Sequence, residues 1–219
     1  MNKEFNKFAL SQGISSHYLS DYNKYVSGYV NPSIIEERQM HVTQMDVFSK
    51  LIQERQIFLG TSIDSDVANI INAQLLYLDS VSNEDITILV NSPGGVCYDG
   101  LSIIDTMNYV SSDVGTMCTG LAASMGAVIL SNGEKGKRFA LPHSRVMIHQ
   151  PLGGARGQAT EIEIEYKQIM LLKQELCGIL AENSGQTIEK VIEDCERDHW
   201  LIAQEAKEYG LIDDVIKKK

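Results

Sequence analysis

The sequence has no long hydrophobic run and little basic charge, and each shortage argues against a class of protein. No apolar stretch approaches the roughly 20 residues that a helix needs to cross a bilayer, and the first residues lack the uninterrupted apolar core of a secretory signal. The formal net charge is −10, so there is no basic surface to neutralise the phosphates of nucleic acid or of an anionic membrane. We therefore expect a cytoplasmic protein.

Cysteines are few and widely separated. The four lie at Cys97, Cys118, Cys177 and Cys195. They form no CxxC motif and have no histidine at zinc spacing, so we predict a reducing compartment and no metal site.

The first 31 residues differ in composition from the rest. They are rich in Ser, Asn and Tyr, show weak periodicity, and end at the turn signal Asn31-Pro32. We predict that residues 1–31 are a poorly ordered N-terminal extension or propeptide. Residues 32–219 then form a single domain, in keeping with a usual size of about 150 residues per domain.

Apolar periodicity predicts alternating helices and strands in that domain. Helices are predicted at 67–81, 101–110 and 124–131, and strands at 85–90, 114–119, 138–141 and 145–149. A long amphipathic helix ends at Gly185, and the period-two stretch "TEIEIE" (160–165) favours a strand before it. This alternation predicts an α/β fold with parallel strand pairing.

Ser124 stands between the strand at 114–119 and a short helix, within "GLAASMGAVIL" (120–130). A serine flanked by small residues on a strand–turn–helix segment resembles a nucleophile elbow, which exposes the hydroxyl. The helix would direct free N–H groups at developing negative charge, and Met125 N–H is the first such donor. A second donor is predicted at Gly94-Gly95, although "SPGG" taken alone is better explained by an ordinary turn.

A serine nucleophile needs a base and an acid. Among the five histidines, His149 ends a strand and precedes a loop, where catalytic residues are common. The downstream carboxylates leave the acid open between Asp194, Glu196, Asp198, Asp213 and Asp214.

An ordered set of motifs resembles the proteolytic subunit of the Clp proteases. The motifs are "NSPGG" (91–95), "AASMGA" (122–127), "KGKRFALPHSRVMIHQPLGG" (135–154), "GQATEIEI" (157–164) and "ERD" (196–198). The likeness runs in one register from about Ile34 to the C-terminus. The resemblance implies Ser124 as nucleophile, His149 as base, and Asp198 as the acid that orients the histidine. Backbone N–H groups of Gly95 and Met125 then form the oxyanion hole.

The resemblance also implies an architecture and partners. The fold is the crotonase-like repeated β-β-α superhelical core, with a protruding handle of a strand and a long helix at about residues 150–184. Subunits of the family form two stacked heptameric rings, and Arg197 matches a residue that pairs across rings. A AAA+ unfoldase such as ClpX, ClpA or ClpC feeds unfolded proteins to the chamber. ATP is used by that partner, because this chain lacks a GxxxxGK[ST] loop, and no cofactor is expected here.

One departure concerns the pocket that docks the unfoldase. The family usually has tyrosines in the strand before "NSPGG", where this sequence has Thr87 and Leu89, whereas Phe139 and Leu141 fit the pattern. The main alternative function is a catalytically weak or structural ring subunit paired with a paralogue. An acyl-CoA enzyme of the same fold and a membrane-anchored Ser–Lys peptidase fit less well, because all three triad positions are filled and no anchor is present.

Overall fold

The computed structural model describes residues 33–38 and 41–217 of the 219-residue chain. The predicted extension at 1–31 lies outside these residues, so its boundary stays a prediction. The chain divides into two compact units, Met1–Lys50 and Leu51–Lys219. In the first unit, strand β1 (Ser33–Arg38) pairs antiparallel with β2 (His41–Asp46). Helix α1 (Val47–Gln53) follows β2 directly in the chain.

The larger unit is built on one mainly parallel sheet. Its strands are β3 (Gln56–Leu59), β4 (Ile86–Ser92), β5 (Val114–Ala123), β6 (Arg138–Ala140), β7 (Arg145–Ile148), β8 (His199–Ile202) and β9 (Asp214–Val215). The parallel order is β3-β4-β5-β6-β9; β7 also pairs parallel with β5, and β8 pairs antiparallel with β7. The predicted α/β class with parallel pairing is therefore confirmed.

Helices connect these strands and supply much of the hydrophobic core. They are α2 (Ser65–Val81), α3 (Cys97–Tyr109), α4 (Met125–Ser131), α5 (Ala159–Ser184), α6 (Ile188–Asp194) and α7 (Ala203–Tyr209). All seven residues of α4 are buried, so the helix that starts beside Ser124 is rigidly packed. No helix in the described part of the chain combines the length and the hydrophobicity that a transmembrane span requires.

Helix α2 shows how the pattern in the sequence becomes structure. Its buried residues recur at helical spacing and form one face; they are Ala68, Ile71, Leu75 and Leu78. The predicted cap is present, because the Asp64 carboxylate accepts a hydrogen bond from the Val67 N–H at 2.9 Å.

The long helix α5 corrects one expectation. The predicted strand at "TEIEIE" does not form: residues 151–157 have no regular structure, and α5 begins at Ala159. A capping box explains the start, since the Gln158 N–H donates to the Glu161 carboxylate at 2.8 Å. A strand there would also need a neighbour to pair with, and within the described residues this segment joins no sheet. The predicted end is correct, with Gly185 in the left-handed conformation at φ 74°.

Within the described residues, helix α5 is buried mainly along its C-terminal half. Its buried residues are Leu176, Cys177 and Leu180. By contrast, Ile162 and Tyr166 of the same predicted apolar face are 43% and 59% exposed. The first half of the helix therefore presents an apolar surface that the described residues do not cover.

Candidate active site

The topology of the sheet brings four segments to one edge. Strands β4, β5 and β7 run parallel, so their carboxyl ends meet at the same side. The segments that follow those strands carry Gly94-Gly95, Ser124 and His149. Strand β8 runs antiparallel to β7, which places its first residue, and Asp198 just before it, at the same edge. Residues far apart in the sequence thus converge because of strand direction.

Ser124 occupies a strained turn between β5 and α4. Its φ and ψ are 53° and −124°, a region that non-glycine residues rarely adopt. Its backbone N–H donates to the Met147 carbonyl at 2.8 Å, which holds the turn against β7. This is the sharp strand-to-helix turn of a nucleophile elbow, which presents a side chain at the top of the sheet.

His149 and Asp198 form a hydrogen-bonded pair beside this turn. The distance from His149 Nδ1 to Asp198 Oδ1 is 2.9 Å. The histidine side chain is 13% exposed and the aspartate 59% exposed. A carboxylate at Nδ1 keeps the proton on that nitrogen and leaves Nε2 free to accept one.

Ser124 and His149 line the same cavity, which has a volume of about 310 Å³. Among the described residues, the Ser124 hydroxyl makes no hydrogen bond with the imidazole. Such contacts are often long in unliganded enzymes and shorten when substrate binds. The cavity thus holds the hydroxyl and its candidate base, with the carboxylate behind the base.

Two backbone N–H groups are available near the serine. Met125 is the first residue of α4, so its N–H has no acceptor within the helix. Gly95 bridges to Ile63, but the bonds of that bridge use the Gly94 carbonyl and the Val96 N–H. Because neighbouring residues of an extended chain point to opposite sides, the Gly95 N–H is turned away from Ile63.

Gly94 has no room for a side chain. Its φ is 87°, and a Cβ atom there would lie 2.6 Å from the Ala123 carbonyl oxygen and 2.7 Å from the Ser124 Cβ. The loop after β4 is therefore pressed directly against the elbow, which explains a glycine at this position.

The remaining cavity wall is largely apolar and was not predicted from the sequence. It includes Pro93, Cys97, Met147, Pro151 and Leu152. Burial raises the pKa of the Cys97 thiol, so that side chain stays neutral in the cavity. Leu152 is 86% exposed and rims the opening. The one sequence signal that could have identified most of these residues is their position within or close to the motifs "MIHQP" and "SPGG".

The other predicted residues lie away from this cavity. Arg197 is exposed on the turn before Asp198. Phe139 and Leu141 are half-buried at and just after β6. Phe139 on β6 is paired in register with Met117 on β5. Met117 is paired in turn with Leu89 on β4, and Leu89 with Phe58 on the outermost strand, β3. An apolar row of partly exposed side chains thus crosses four strands of the sheet.

Within residues 33–38 and 41–217, no group of three or more His, Cys, Asp or Glu side chains is arranged to hold an ion.

Comparison with known proteins assigns the family. The family model for Clp protease matches residues 37–219. The ATP-dependent Clp protease proteolytic subunit of Bacteroides fragilis (strain YCH46) is 58% identical over 218 residues, covering 99% of each chain. The subunits of the same name are 57% identical in Bacteroides thetaiotaomicron and 55% identical in Porphyromonas gingivalis, each over at least 98% of both chains. This chain belongs to the Clp protease family and is a serine endopeptidase of the Clp system.

Proposed function

We propose that Ser124, His149 and Asp198 form the catalytic triad of this endopeptidase. The observation that carries the proposal is the 2.9 Å bond between His149 Nδ1 and Asp198, formed at the wall of the cavity that also holds Ser124. The positive φ of Ser124 supports it, because strain of this kind is tolerated where a side chain must be presented.

The chemistry follows from this arrangement. His149 Nε2 takes the hydroxyl proton as the Ser124 oxygen attacks the carbonyl carbon of a peptide bond. Asp198 stabilises the imidazolium that forms. The tetrahedral oxyanion accepts hydrogen bonds from the N–H groups of Gly95 and Met125. Collapse breaks the C–N bond, and His149 gives its proton to the leaving amine. A water molecule, deprotonated by His149, then hydrolyses the acyl-enzyme and restores the serine.

The finer assembly and its partners are also proposals. The relatives are named ATP-dependent, and this chain has no phosphate-binding GxxxxGK[ST] loop. We therefore infer an ATP-hydrolysing AAA+ unfoldase that delivers unfolded polypeptides, with no cofactor in this chain. The apolar surface on the first half of α5, which the described residues do not cover, and the exposed Arg197 support contact between two stacked heptameric rings. We expect this particle to be cytoplasmic.

The apolar row that includes Phe139 supports the proposal that the unfoldase docks at this surface. Replacing Phe139 by Ala is expected to reduce unfoldase-driven degradation by about 10-fold or more, as loss of an aromatic anchor does. Hydrolysis of a short peptide, which needs no unfoldase, is expected to stay at the wild-type rate. Equal degradation by wild type and variant would contradict docking at this row.

A peptidase assay tests the triad. With a fluorogenic peptide, Ser124→Ala is expected to remove all but a trace of activity, because the nucleophile is lost. Ser80→Ala is a matched control, since Ser80 is an exposed serine on α2 whose hydroxyl, within the described residues, bonds only the Tyr77 carbonyl. Retained activity in the Ser124 variant would refute the assignment.

A further inference from the structure

Gln150 ties the histidine segment to the segment that carries the acid. Its backbone N–H donates to the Cys195 carbonyl at 2.7 Å. Its side-chain Nε2 donates to the Glu196 carbonyl at 3.0 Å. The two acceptors lie on the turn that leads to Asp198. Gln150 thus bonds this turn both through its backbone and through its side chain.

Lys173 of helix α5 completes the connection. Its Nζ donates to the Gln150 Oε1 at 2.8 Å and lies 3.2 Å from the Glu196 carboxylate. Its side chain is only 16% exposed, whereas Lys167, six residues earlier on the same helix, is 65% exposed. The hydrogen bond and charge of Lys173 lower the pKa of Glu196, so the contact is an ion pair at neutral pH.

The hydrogen bonds of Gln150 and Lys173 lie beyond the end of the paired strands. The ladder between β7 and β8 ends at the pair Ile148 and His199. His149 and Asp198 lie one residue beyond that pair, so ladder hydrogen bonds do not fix their separation. The next contacts outward are those of Gln150 and Lys173. Their geometry therefore governs how closely the imidazole and carboxylate approach.

We propose that Lys173 and Gln150 are positioning residues that hold the His149–Asp198 pair and connect helix α5 to the active site. This inference rests on the proposed triad. Lys173 contacts no reacting atom; it keeps the Gln150 side chain and the 195–196 turn in one arrangement.

The test compares Lys173→Met with Lys173→Arg and Lys207→Met in particles of verified mass. Methionine keeps much of the apolar stem but removes the donors, whereas arginine keeps charge and donors. Lys207→Met is the matched control, because its ion pair with Asp214 is exposed and lies outside helix α5. The measurements are kcat and KM for a short fluorogenic peptide.

We expect Lys173→Met to lower kcat by about 10-fold to 100-fold, since small misplacements of catalytic groups have effects of this size, with KM nearly unchanged. Lys173→Arg is expected to recover most of the activity, and Lys207→Met to match wild type. Gln150→Met provides a second variant with the same expected signature.

Three results would overturn the inference. Lys173→Met with wild-type kcat would show that the contact has no catalytic effect. Activity lost only in proportion to lost particles, with kcat per assembled particle unchanged, would assign Lys173 to assembly. Equal losses of kcat in assembled Lys173→Met and Lys207→Met would refute positioning of the pair. Failure of the proposed triad is distinguished separately, because wild-type activity would then survive Ser124→Ala.

Discussion

Replacing Asp198 by Asn keeps the size of the side chain but changes what it offers to His149. The carboxylate accepts the Nδ1 proton at 2.9 Å, whereas an amide NH₂ group donates to Nδ1 and stabilises the other tautomer. That tautomer carries its proton on Nε2 and is unable to accept the Ser124 proton. For a buried triad acid this substitution costs about 10⁴-fold in kcat.

The exposure of Asp198 reduces the expected loss. Its side chain is 59% exposed, so the Asn amide is free to rotate, and water replaces part of the lost interaction. We expect a loss of about 100-fold to 1,000-fold, which corresponds to roughly 3 to 4 kcal/mol of transition-state stabilisation. The assay is kcat for a fluorogenic peptide, with particle mass verified.

Asp214→Asn is the matched control for this experiment. Asp214 is 60% exposed; its carboxylate pairs with Lys207 at 2.6 Å and accepts the Val215 N–H at 2.9 Å, so it matches Asp198 in exposure and in bonding the nitrogen of another side chain. We expect its activity to equal that of wild type. Two results would refute this reasoning: a loss of kcat of less than about threefold in Asp198→Asn, or the same loss of kcat in Asp214→Asn as in Asp198→Asn. Replacing a triad acid is expected to lower kcat by more than about threefold and by more than replacing an unrelated surface carboxylate.

Two further predictions concern the elbow and the stability of the fold. Gly94→Ala is expected to reduce labelling of Ser124 by a fluorophosphonate at least 10-fold, because its Cβ would strike backbone 2.6 Å away. Gly136→Ala, with a φ of 89° but open space around the Cβ, controls for strain alone and is expected to label normally; equal labelling of both variants would contradict the collision. Asp213→Ala is expected to lower the free energy of unfolding by about 3–5 kcal/mol in urea titrations, because it leaves the Arg138 guanidinium, whose side chain is 6% exposed, without its carboxylate. Burial opposes the charged form of Asp213, but bonds from Arg138 and Gly136 outweigh it and lower the pKa. The stabilisation is therefore present above the unfolded-state pKa and is lost as the pH falls through the lower folded-state value. An unchanged urea midpoint at neutral pH would contradict this role.

The sequence predicted the segments of the site better than their arrangement. Ser124 and His149 follow runs of apolar, β-branched residues, so their place at strand ends was predictable. The residue pattern alone did not identify the acid, because five downstream carboxylates fit it equally, and Asp198 was selected only by the resemblance of "ERD" to the family motif. Only the antiparallel pairing of β8 with β7 brings Asp198 to the edge where the other two residues lie. Choice of a strand's neighbour is a long-range property that local patterns do not contain.

The start of helix α5 shows the limit of local patterns. "TEIEIE" alternates like a strand, yet glutamate favours helices and the Glu161 cap fixes the first turn. The contacts of Lys173 and Gln150 were equally hidden, because 23 residues separate them in the sequence. Residues 1–31 lie outside the described part of the chain, and their role as an extension or propeptide stays a prediction.

The mass of the intact protein after exposure to a fluorophosphonate tests the central claim most directly. An activated Ser124 predicts one adduct per subunit in the assembled wild-type particle and none in Ser124→Ala. An unlabelled wild-type particle, or an adduct that persists in the Ser124 variant, would contradict the account.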